Sequence, residues 1–203
     1  MDSKASDTRA ALLEIAVFGS AATLAYVLVV ALSEPMGLVA LIAFVFAASL
    51  SVGSVAIWRL LAVEGAPDLL PMLSAGSNVI AAALFLAMAL VQIAIKDVAD
   101  PPDDSLRAVY WGLDVAWDLY LSAGTLGFAV AFLRSTWLRR WALPGIVLAA
   151  TLAALNLATF PEPPASAGLV DIGPLVGLWY FTLSIRAIVI LRAQPGTPSV
   201  PGP

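Results

Sequence analysis

Val109-Tyr110-Trp111-Gly112-Leu113-Asp114-Val115-Ala116-Trp117-Asp118-Leu119-Tyr120-Leu121-Ser122-Ala123-Gly124-Thr125-Leu126-Gly127-Phe128 opens an apolar run that reaches Leu133 before the first arginine. About 20 mostly apolar residues in a helix cross the hydrocarbon of a bilayer. The segment 109–133 therefore reads as a membrane span, and two carboxylates inside it are costly enough to need a reason.

The rest of the chain supports that reading. Of its 203 residues, 61% are hydrophobic and only 12% charged, and the mean hydropathy is +0.96. Soluble domains carry about twice that share of charge. Working outward from 109–133, five more apolar runs of comparable length lie at 10–32, 36–61, 69–95, 143–160 and 168–191. They are separated by turns such as Glu34-Pro35, Glu64-Gly65-Ala66-Pro67-Asp68 and Pro161-Glu162-Pro163-Pro164, whose prolines and glycines break helices. The expected fold is an all-α integral membrane protein, a bundle of six transmembrane helices over residues 10–192. A short polar segment, 1–9, precedes it, and a disordered Pro- and Gly-rich tail, 193–203, follows. The first run is too long for the hydrophobic region of a signal peptide and is read as a retained span.

Charge sets the orientation. Lys4, Arg9, Arg59, Arg134, Arg139, Arg140, Arg186 and Arg192 fall at one end of a six-span bundle, against Lys96 and Arg107 at the other. Basic residues accumulate on the cytoplasmic side, so both termini are expected there. The corresponding localisation is the cytoplasmic membrane of a bacterium or archaeon.

In a helix, Asp114 and Asp118 share a face one turn apart, with Tyr110 and Trp111 above them and Ser122 below. At 1.5 Å per residue they lie about 7 Å and about 14 Å beneath the outer end of the span. Two close, buried carboxylates disfavour joint ionisation, which suits them to hold a cation or a proton. By depth, Gln92, Asn156 and Asp171 are expected to join the pair in a polar cavity open to the outside, and Asn78 in the third span is read first as an interhelical hydrogen-bond donor and second as a further ligand candidate. In the inner half, Glu14 and Arg186 are expected to form a structural ion pair that offsets part of their burial cost.

Other classes are harder to reconcile with these residues. Histidine and cysteine are both absent and the net charge is -4, so ordinary zinc or haem ligation, thiolate chemistry and nucleic-acid binding find little to work with. Asp114 and Asp118 resemble the Asp-x-x-x-Asp half of the CDP-alcohol phosphotransferase signature, but that family's upstream Asp-Gly and Ala-Arg elements are missing. Gly-x-Gly-Asp, Gly-x-Ser-x-Gly, His-Glu-x-x-His and Walker A motifs are also missing, as is a mid-span lysine for a Schiff base. No cofactor and no metal site is expected, and the reading leans away from an enzyme. The partners implied are membrane lipid and a small solute, cation or proton. Nucleic acid is not a partner, and self-association is compatible with the sequence.

The functional expectation is binding or translocation of that solute, cation or proton through an outward-facing cavity centred on Asp114 and Asp118. Two alternatives stand beside it: a structural or accessory subunit whose carboxylates only fix helix packing, and a lipid-modifying enzyme that uses the pair with a divalent ion. A stripe turned to a solvent-connected cavity favours the first, and a dry, fully bonded stripe favours packing.

Overall fold

A computed structural model describes residues 3–32, 35–67, 69–97, 104–158 and 172–193. Among them all regular structure is helical: α1 Ser3–Ala31, α2 Met36–Val63, α3 Leu69–Asp97, α4 Asp104–Phe132, a 3₁₀ turn Arg139–Trp141, α5 Ala142–Leu157 and α6 Gly173–Ala193. Six helical segments are long and apolar enough to cross a membrane, the fifth being α5 taken together with the 3₁₀ turn, Arg139–Leu157.

Several ends differ from expectation for simple reasons. α1 takes in the polar residues before Ala10, where the Thr8 hydroxyl bonds the Lys4 carbonyl at 2.9 Å. Once nucleated, a helix extends through polar residues at little cost, so the edge of an apolar run does not end it. α4 likewise begins at Asp104, five residues before 109, with an acid in its first turn where the helix dipole favours it. α5 stops at Leu157 and α6 starts at Gly173, inside the expected limits of 160 and 168. The 3₁₀ turn before α5 adds length to that short helix.

Short connections make neighbouring helices antiparallel. Each helix packs on its sequence neighbour, and α6 returns to α1 while touching α5, so the six form a ring. This collects Lys96, Asp104 and Gly173 at one end, here the acidic end. Arg59, Arg139, Arg140 and Arg192 collect at the other, the basic end. The α2–α3 turn at the basic end needs Gly65, whose φ of 83° is open to glycine but strained for other residues.

Polarity is arranged inside out. Leu24, Phe44, Leu73 and Leu143 expose 57–68% of their surface, whereas Ser54, Asn78, Thr125 and Ser184 are almost fully buried. Small residues let the backbones approach. A Cβ on Gly19 of α1 would fall 2.0 Å from the Ser184 hydroxyl of α6, and one on Gly124 of α4 would fall 2.0 Å from the Asn78 amide oxygen of α3. Close contact of this kind is how helices associate when hydrocarbon surrounds them.

Candidate functional site

α4 carries the polar stripe that its spacing implies. Tyr110, Trp111, Asp114 and Asp118 line one pocket of about 370 Å³ at the acidic end, together with Gln92 and Lys96 of α3 and Tyr26 of α1. Asp114 is half-buried and Asp118 buried. One Asp118 carboxylate oxygen accepts a 3.0 Å hydrogen bond from the Asn156 amide of α5, and the same amide nitrogen also donates to the Leu152 carbonyl at 3.0 Å. The deeper acid is thus tied to the next helix, while both acids face the pocket.

Rings wall the pocket: Tyr26, Phe85 and Trp117 line it, and Phe46 packs behind them. Phe46, Phe85 and Trp117 meet with centroids 4.5–5.7 Å apart, and Tyr26 leans on Phe46 at 5.6 Å. At the rim, Tyr110 and Trp111 sit edge to face at 4.8 Å. Aromatic surfaces around a carboxylate pair form a cup whose charge and ring faces are of the kind that attracts cations.

Three expected members need separate placement. Asp171 lies outside the described residues. Asn78 is not in the cup: it sits at the centre of the bundle, where its amide nitrogen donates to the Ser54 hydroxyl at 2.9 Å and to the Tyr180 hydroxyl at 2.7 Å. Tyr180 in turn shares a 3.1 Å hydrogen bond with Thr125, so this knot ties α2, α3, α4 and α6 together. Asn156 reaches the site through Asp118 without lining the pocket. Among the described residues, the Asn78 amide oxygen and the Ser122 hydroxyl have no hydrogen-bond partner.

The expected Glu14–Arg186 pair is replaced by another. Arg59 of α2 holds Glu14 at 2.7 and 2.8 Å. α6 does run beside α1, but Ser184 is the residue that faces it, at Gly19. Arg186 is two residues on, about 200° around the helix, and turns instead toward Thr136, Trp137, Arg139, Arg140 and Trp141.

Sequence reasoning missed Lys96 and Tyr26 as parts of the cup. Lys96 was legible, since it follows Gln92 by four residues and so shares its helix face. Tyr26 was not, because nothing local reports that α1 lines the same pocket as the acids of α4. Among the described residues no third carboxylate joins Asp114 and Asp118.

No protein-family model, curated protein or solved structure matches this chain. Its functional reading therefore rests on this geometry.

Proposed function

We propose that the chain is a six-span protein of a cytoplasmic-type membrane, with both termini cytoplasmic, and that the cup binds a small cation, a proton or a small cationic solute from the outside. The exposed apolar surface of every helix supports insertion, because contiguous apolar patches of that size in water would drive association. The split of basic residues supports the orientation.

One observation carries the binding role: Asp114 and Asp118, one turn apart, open on a shared pocket of about 370 Å³. Lys96 in the same pocket offsets one of the two acids and leaves an excess of one negative charge for a ligand when both are ionised. Phe85 and Trp117 belong to the wall of the cup, so a translocated ligand would have to pass these rings.

Binding is tested with the intact protein in lipid nanodiscs, titrated with Na⁺, K⁺, tetramethylammonium and acid while tryptophan fluorescence is followed, since Trp111 and Trp117 line the cup. Asp118→Asn keeps the shape of the site and an acceptor for Asn156. It should remove the response, and flux in reconstituted vesicles, with folding intact. A wild type that answers none of these titrations would sink the proposal.

The packing alternative has its own support in the Asp118–Asn156 hydrogen bond, which fastens α4 to α5. On that reading Asp118→Asn changes stability and nothing else.

A further inference from the structure

The basic end carries a second site. Trp137, Arg139, Arg140 and Trp141, on the strap between α4 and α5, line a pocket of about 560 Å³ with Arg186 of α6 and Thr136. We propose that this pocket holds the phosphate-bearing headgroup of an anionic glycerophospholipid. The inference rests on the membrane reading above, and is separate from the cup.

The strap is pinned at both ends. The Glu64 carboxylate accepts from the Ser135 hydroxyl at 2.6 Å, from the Thr136 backbone N–H at 3.0 Å and from the Thr136 hydroxyl. The Ser135 hydroxyl oxygen accepts in turn from the backbone N–H groups of Trp137 at 3.2 Å and Leu138 at 3.0 Å. At the far end, the indole N–H of Trp179 donates to the Trp141 carbonyl at 3.0 Å. This fixed backbone places Arg139 and Arg140 across from Arg186.

Three guanidinium groups then share one pocket with no acid in its lining. Among the described residues none of them makes an ion pair, in contrast with Arg59, which has Glu14. Glu64, beside the strap, already spends both oxygens on Ser135 and Thr136. Clustering like charges is unfavourable unless an anion joins them, and the planar fork of arginine matches phosphate oxygens.

Lipid is favoured over a soluble phosphate by what flanks the pocket. Trp137 and Trp141 are the amphipathic residues that settle at headgroup level. Leu143, two residues beyond Trp141, is 68% exposed, and Ile185, next to Arg186, is 45% exposed. Acyl chains attached to a bound headgroup have apolar surface to lie against. Basic pockets at the cytoplasmic face are recognised sites for anionic headgroups.

The test uses the full chain purified in mild detergent. Native mass spectrometry follows retention of added phosphatidylglycerol, phosphatidylcholine and, as the soluble arm, glycerol 3-phosphate. Phosphatidylglycerol should be retained in preference to phosphatidylcholine, and glycerol 3-phosphate should not displace it at equal concentration. Arg139→Gln and Arg140→Gln should each weaken retention roughly fivefold. Arg192→Gln, an equal loss of charge at the same end but outside the pocket, should not. Equal retention of the two lipids, or an Arg192→Gln effect as large as the others, overturns the site. Displacement by glycerol 3-phosphate overturns the lipid as its source. Release of the chain from cell membranes by carbonate would overturn the membrane reading itself, whereas a carbonate-resistant chain without lipid preference removes only this site.

Discussion

Two buried polar clusters on α4 lie less than two turns apart and are built differently. At Asp118 the polar groups open on a pocket of about 370 Å³, with Lys96 and the half-buried Asp114 at its edge. At Thr125 they close on themselves: Asn78, Ser54, Thr125 and Tyr180 bond one another across four helices. Gly124 seals that knot by bringing its backbone against the Asn78 amide. Polarity inside a bundle is therefore ambiguous until its surroundings are known. Groups bonded to each other hold helices together, and groups that also face open volume are the ones on which a binding proposal can rest.

The comparison makes opposite demands on the two regions. The largest expected effect is at the seal: Gly124→Ala puts a methyl group 2.0 Å from the Asn78 oxygen and 2.9 Å from the Ser74 carbonyl. Overpacking of this kind costs about 1–3 kcal/mol, and thermal unfolding in detergent should show it, with cation binding at the cup unchanged in the molecules that remain folded. An unaltered melting temperature would mean that the knot is looser than its geometry.

Next comes the cup, where Asp118→Asn and Asp118→Leu separate binding from packing. The asparagine variant should lose at least about tenfold in cation affinity, about 1.4 kcal/mol, with little change in melting temperature. The leucine variant should lose affinity and also about 1 kcal/mol of stability, because the Asn156 amide loses one of its two acceptors. If Asp118→Asn instead lowers stability and leaves binding alone, the two clusters are the same kind of object.

Tyr180→Phe removes the hydroxyl that links Asn78 to Thr125. Interhelical hydrogen bonds in membranes contribute about 0.6 to 1.7 kcal/mol, so a modest fall in melting temperature with normal binding is the expected result. The smallest effect belongs to Glu14→Gln. Its pair with Arg59 is partly exposed, with side chains 31% and 45% accessible, and such pairs contribute about 0–1 kcal/mol. A larger loss would show that this end of α1 and α2 is less solvated than its exposure implies.

Much of the fold was legible because hydrophobic length is a local property: a run such as 69–95 announces a helix without reference to its neighbours. The stripe at Asp114 and Asp118 was legible for the same reason, as helical periodicity alone puts the two on one face. For Asn78 the residue type pointed to an interhelical hydrogen bond, but only the packing names Ser54 and Tyr180 as its partners. The partner of Glu14 was misassigned because charge and depth were matched without helix rotation, which turns Arg186 away. The arginine pocket joins residues far apart in sequence, on the strap and on α6, and only their packing reveals it.

What the sequence determined by itself was the class of object and its local periodicities: six apolar helices, short turns that reverse them, and a carboxylate pair one turn apart. The tertiary structure decided which polar groups meet. It sent Asn78 to a sealed knot, Asn156 to Asp118, Lys96 to the rim of the cup and three arginines to one unpaired pocket. The reason is physical: helix formation depends on hydrogen bonds four residues apart, whereas the rotation and adjacency of helices depend on how small residues such as Gly19 and Gly124 let particular faces touch.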